Sequence, residues 1–149
     1  MGQNPSQVKV RSARQSDAGK IAELAGQLGY PTTKRQMNVR LRQVLKAKDG
    51  VCLVAELKDE GVIGWVHASV TPLLEVERRA EVNGLVVDER VRSLGAGWVL
   101  LEAVEKWARK KKCAGMSVRS NVIRERAHGF YSAHGYEHYK TQKALRKKL

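Results

Sequence analysis

The strongest constraint on this chain is a change of backbone habit between Val82 and Trp98. Val82-Asn83-Gly84-Leu85-Val86-Val87-Asp88 is apolar and β-branched, as a strand interior demands. After Glu89-Arg90-Val91-Arg92-Ser93-Leu94 the chain reaches Gly95-Ala96-Gly97, and Leu100, Leu101, Val104, Trp107 and Ala108 then recur at helical spacing as far as about Lys111. A helix that opens on glycines presents its first backbone N–H groups with no side chain in front of them. The helix dipole adds about half a positive charge there, and Arg92 stands just ahead. The segment reads as a cradle for phosphate or pyrophosphate. It is not a Walker loop, because Trp98-Val99 follows Gly97 where Lys-Ser/Thr belongs. It is not a dinucleotide fingerprint either, because Leu100 occupies the position of the last small residue.

The remaining periodicities supply a scaffold. Val8-Lys9-Val10-Arg11 alternates as a short strand. Ser16-Asp17 offers an N-cap to a helix carrying Ile21, Leu24, Ala25 and Leu28, which Gly29-Tyr30-Pro31 ends. A second helix is expected over Lys34 to Lys48. Strands follow at Val51–Ala55, Val62–Val70 and Ala80–Val87, the first two joined by the turn Lys58-Asp59-Glu60-Gly61. Beyond the long helix come a strand at Met116–Arg119, a helix around Arg124–Ala133 and a tail, Tyr136 to Leu149, expected to close as a hairpin. Hairpin-linked strands ahead of one β-α-β crossover predict an α/β fold of the α+β type, with a mixed, mostly antiparallel sheet and helices on both faces.

Composition narrows the classes. A length of 149 residues fits one domain, read as 8–149 behind a flexible 1–7. No apolar run approaches the roughly 20 residues of a membrane span. Met1 to Gln7 has neither the basic cluster nor the apolar stretch of a signal peptide. Two cysteines, Cys52 and Cys113, make no disulfide framework and suggest a reducing, cytoplasmic setting. Neither they nor His134 and His138 have metal-ligand spacing, so no metal is expected. The net charge of +13, concentrated in Arg109-Lys110-Lys111-Lys112 and the last ten residues, favours anionic partners without choosing among them.

Arg92-Ser93-Leu94-Gly95-Ala96-Gly97 after Leu-Val-Val-Asp resembles the acetyl-CoA loop, Arg/Gln-x-x-Gly-x-Gly/Ala, of the GNAT superfamily of N-acetyltransferases. A second motif follows in order: Ala127-His128-Gly129-Phe130-Tyr131-Ser132-Ala133-His134-Gly135-Tyr136 resembles Ala-x-x-Phe-Tyr-x-x-x-Gly-Phe/Tyr. The likeness runs over about residues 8 to 149. Three residues ahead of Ala127, where the family commonly carries Asn, this chain has Arg124; Asn121 lies three residues earlier still.

The resemblance implies a GNAT-like single domain with a splayed central strand pair, and acetyl-CoA as acyl donor. The amides of Arg92, Ser93, Leu94, Gly95, Ala96 and Gly97 would hold its pyrophosphate, and Leu85, Val86 and Val87 would flank its pantetheine arm. Asn121 would add a contact. A strand amide at about Leu85 would donate to the thioester oxygen; one such preorganised donor is worth roughly 2.7–4 kcal/mol in a transition state. Tyr131 is the acid expected for the leaving thiolate. Glu81, eleven residues before Arg92, is the expected general base. Simple alternation would set Glu81, Asn83, Leu85 and Val87 on one face. His67, beside Trp65, is a weaker candidate base.

The implied acceptor is a primary amine on a small molecule or peptide, near the first two helices and the acidic residues Glu75, Glu77 and Glu81. A homodimer is compatible with the resemblance. Two other classes compete. One is a basic nucleic-acid-binding module, against which stands the lack of a reading helix, zinc-finger spacing or RNP aromatics. The other is a non-catalytic acyl-CoA sensor on the same fold.

Overall fold

The computed structural model describes residues 7–120 and 122–149, apart from the side chain of Ser93. The N-terminal stretch expected to be loose therefore lies outside the described residues except for Gln7, and Asn121 lies outside them too. In chain order the elements are β1 (Val8–Ser12), a short 3-10 helix (Gln15–Asp17), α1 (Ala18–Leu28), α2 (Lys34–Lys46), β2 (Gly50–Leu57) and β3 (Gly61–Val70). Then come β4 (Arg79–Val87), a second 3-10 helix (Glu89–Leu94), α3 (Ala96–Lys110), β5 (Gly115–Val118) and α4 (Glu125–Ala133). The strands form one sheet in the order β1-β2-β3-β4-β5. All neighbours are antiparallel except β4 and β5, which run parallel because α3 crosses over between them. Two compact units result, residues 1–118 and 119–149.

Local chemistry sets the element ends. Thr33 caps α2: its Oγ1 accepts from the Gln36 amide at 3.1 Å, and Gln36 Oε1 accepts from the Thr33 amide at 3.0 Å. Asp17 precedes α1 but does not cap it with its side chain. Arg11 takes the carboxylate instead, with Nη1 2.8 Å from Oδ2 and Nη2 3.0 Å from Oδ1, and Oδ2 also accepts from the Arg14 amide at 2.8 Å. The Arg11 fork, which also reaches Glu56, holds the Asp17 carboxyl below its usual range. Gly29, at φ 101°, ends α1 in the left-handed region, and the Tyr30 amide returns to Ala25 O at 2.9 Å.

The sheet is covered on both sides. On one, Ile21, Leu24 and Ala25 of α1 and Leu41 of α2 pack with Cys52, Val54, Trp65 and Val86. Trp65 Nε1 donates to Ile21 O at 3.2 Å and so pins α1 to β3. On the other, Ala80 packs with Ala108 and Trp107 of α3, and a Cβ on Gly64 would lie 3.3 Å from both Leu100 and Val87. Leu100, Leu101 and Val104 of α3 are fully buried. Burial pushes the Cys52 thiol up to about 12. Among the described residues no helix is long and apolar enough to cross a membrane.

The second unit contains α4 and an aromatic group: Phe130 meets Tyr131 edge-on at 5.1 Å and His134 at 4.8 Å, and Tyr131 meets Tyr136 at 5.6 Å. The closing hairpin expected over Tyr136 to Leu149 is not formed; these residues carry neither strand nor helix. Lys140, Lys143, Arg146, Lys147 and Lys148 leave no alternating apolar face for a strand to bury, and residues 137–149 are exposed.

Candidate functional site

β4 changes character halfway along. Its pairing with β5 runs from Arg79–Gly115 to Val82–Val118 and stops there. On its other side the register with β3 shifts between His67 and Ala68: His67 faces Gly84 while Ala68 faces Val82, so Asn83 is an inserted residue. This is a β-bulge, which bends a strand and frees part of its ladder. Beyond it, Gly84 to Val87 pairs with β3 but, among the described residues, has no strand partner on the other side, because β5 ends at Val118. The bulge thus sits where β4 passes from two strand neighbours to one.

The bulge overturns the alternation read from sequence. Ala80 faces α3, which places Glu81 on the α1–α2 side. One extra residue reverses the parity that follows. Gly84 lies against the Trp65 ring and Val86 joins the α1–α2 core, while Val87, and Leu85 two residues before it, face α3. Glu81 thus shares a face with Gly84 and Val86, not with Leu85 and Val87. Asn83 is exposed and its Nδ2 donates to Ser69 Oγ at 2.8 Å.

β4 then feeds the glycine-bearing turn. The Asp88 amide donates to Ile63 O at 2.7 Å, and the Asp88 carboxylate caps the second 3-10 helix by accepting from the Arg90 amide at 3.1 Å. Asp88 is almost fully buried; hydrogen bonding from the Arg90 side chain outweighs desolvation and holds its carboxyl down to about 2. Arg92 folds back, its Nε donating to Val87 O at 3.2 Å. The chain kinks at Val91 and then at Gly95, where φ is 78°. Gly95 precedes α3 with no side chain capping it. The amides of Ala96 and Gly97 therefore open α3 with the dipole behind them, as an anion cradle requires. Leu94 and Ala96 complete the turn, Ala96 fully buried; Ser93 contributes its backbone to the same 3-10 helix.

The structure thus brings Glu81, Leu85, Val86, Val87 and the Arg92–Gly97 turn together on one strand and its continuation. Arg78, three residues before Glu81, donates from Nε to Lys111 O at 2.8 Å. His67 stands opposite the bulge, on the Glu81 face, and burial lowers its pKa. Tyr131 belongs to the second unit; burial raises its hydroxyl to about 12, so it keeps its proton at neutral pH. Glu75 and Glu77 sit in the exposed loop between β3 and β4. Among the described residues no group of three or more His, Cys, Asp or Glu side chains could hold a metal. Sequence reasoning missed Asn83 as a bulge and Gln27 as a contact of Asp88 and Glu89. Neither leaves a periodic signal.

The acetyltransferase (GNAT) family model matches residues 20–136, most of the chain. This chain belongs to the GNAT family. Acetyl-CoA is the acyl donor that membership implies. Solved GNAT structures share the fold. The aminoglycoside 6'-N-acetyltransferase AAC(6')-Ih of Acinetobacter baumannii is 18% identical with a TM-score of 0.84, covering 95% of this chain and 99% of its own. AAC(6')-Iy, solved with CoA, is 19% identical with a TM-score of 0.84 and 95% coverage of both chains. A GNAT family acetyltransferase of Staphylococcus aureus is 20% identical with a TM-score of 0.74, covering 96% of this chain and 99% of its own. No curated protein matches the sequence.

Proposed function

We propose that this GNAT protein transfers an acetyl group from acetyl-CoA to a primary amine, with donor and acceptor bound together. The observation that carries the reading is the coincidence at Val82 and Asn83. There the β5 pairing ends and the bulge begins, and the same strand runs on into an α3 N-terminus whose N-cap, Gly95, brings no side chain in front of the first amides.

The backbone from Arg92 to Gly97 binds the donor's diphosphate. Asn83 to Val87 offers strand amides along the edge that β5 leaves open, one of them, at about Leu85, to the thioester oxygen. Glu81, on the α1–α2 side, accepts a proton from the amine directly or through water, with His67 on the same face. Tyr131, which holds its proton at neutral pH, donates to the leaving thiolate. The acceptor approaches from the α1–α2 side, where Glu75, Glu77 and Glu81 favour a cation in a chain that is otherwise basic. The aminoglycoside acetyltransferases that share this fold, one solved with a CoA–acetylneamine bisubstrate analogue, support amine chemistry without choosing between a small molecule and a peptide. The two free thiols fit a cytoplasmic setting.

The test follows CoA thiol release with a panel of polyamines, aminoglycosides and lysine peptides. Wild-type protein is expected to release CoA with at least one amine, and Gly95→Trp, checked for folding by circular dichroism, to lose acetyl-CoA binding. Unchanged acetyl-CoA affinity in that variant contradicts the cradle. Binding without thiol release for any amine would make the protein an acyl-CoA sensor.

A further inference from the structure

The turn that we read as the diphosphate cradle is fastened to α1 chiefly by the side chain of Gln27. Gln27, in the last turn of α1, accepts from the Glu89 amide through Oε1 at 2.9 Å and turns its Nε2 toward Asp88 Oδ1 at 3.5 Å. Glu89 begins the 3-10 helix, so its amide has no partner within that helix. The next amide, of Arg90, is capped by Asp88 itself. The first two donors of the turn are thus satisfied by two side chains, one of them from the element packed on the opposite side of the sheet from α3. Lys20, seven residues before Gln27 on the same helix, brings Nζ to 4.0 Å from Asp88 Oδ2, and Arg90 closes on that oxygen at 2.9 Å. Lys20 is itself held by Glu23 at 3.3 Å.

We propose that Gln27 is a positioning residue for acyl-donor binding. By holding the entry of the turn at Asp88 and Glu89, it fixes where the backbone from Arg92 to Gly97 presents its N–H groups. It touches no donor atom. Its effect is preorganisation: a turn held in its binding shape loses less freedom when the anion arrives. The exit of the turn has its own tie, Arg92 to Val87 O, so loss of Gln27 loosens the entry alone. Because α1 also lines the side from which the acceptor would approach, a shift of α1 is passed to the donor turn through this contact. The inference rests on the cradle reading above.

The experiment is calorimetric titration with CoA. Gln27→Met keeps length and volume but removes both polar contacts; Gly26→Ala alters the same helix at a position where the added Cβ meets nothing within 4 Å. The CoA dissociation constant is expected to rise about five- to tenfold in Gln27→Met, as loss of a net hydrogen bond or so implies. It is expected to stay within twofold in Gly26→Ala. Amide hydrogen exchange at Glu89 should quicken in Gln27→Met while the β2 and β3 amides keep their protection. Should Gln27→Met fail to fold, Gln27→Asn, too short to span the gap, gives the same readouts. CoA affinity within twofold of wild type in a folded Gln27 variant, or an equal loss in Gly26→Ala, overturns the proposal. Wild-type protein that binds no CoA would instead sink the cradle reading itself.

Discussion

Gly84 shows how closely single residues are fitted around the bulge. A Cβ there would lie 2.9 and 3.0 Å from two carbons of the Trp65 ring, and that ring is held by its bond to Ile21 O. Gly84→Ala is therefore expected to cost about 1–3 kcal/mol in denaturant unfolding, the usual penalty of overpacking. Gly115→Ala meets nothing within 4 Å and should stay within about 0.5 kcal/mol. Equal stability of the two variants would show that the ring moves freely. At this scale the sequence was a mixed guide. Gly95 was legible as a turn glycine because a helix pattern starts beside it. Gly84 read as one more strand position, since nothing local announces that a tryptophan nineteen residues away lies on it. Asp17 looked like a helix cap, yet Arg11 from the neighbouring strand competes for its carboxylate and wins.

Among the elements, β4 does the most to place chemistry. Its apolar run and its passage into a glycine-opened helix were legible, as were β1, α1, β2, β3 and α3, because each carries its own period. The bulge was not, because an inserted residue leaves the composition of a strand unchanged while reversing the facing of everything after it. Deleting Asn83 would restore plain alternation while leaving Ala80, Val82, Leu85 and Val87 on the α3 side and Glu81, Gly84 and Val86 on the other. Such a deletion is expected to keep cooperative unfolding with the same faces buried. Asn83→Ala, which gives up the exposed bond to Ser69, should cost at most about 1 kcal/mol. Loss of cooperative unfolding in the deletion variant would contradict this assignment of faces. The tail was misread in the other direction: a closing hairpin was expected over Tyr136 to Leu149, but five cationic side chains leave it no face to bury.

For the whole molecule, charge and geometry make different claims on an anionic ligand. A net charge of +13 attracts any polyanion, most strongly at the Arg109–Lys112 run and the exposed tail. The cradle binds one anion at one place, by backbone groups that charge counting never sees. Titrating nitrogen-15-labelled protein with CoA at moderate salt, and mapping which amides shift, separates the two. The result expected is saturable one-to-one binding with the largest shifts at Ala96, Gly97 and the Asn83–Val87 stretch of β4. Shifts confined to Arg109–Lys112 and the last ten residues, with the α3 N-terminus and β4 unmoved, would contradict the central claim that the singly paired end of β4 and the helix it feeds hold the acyl donor.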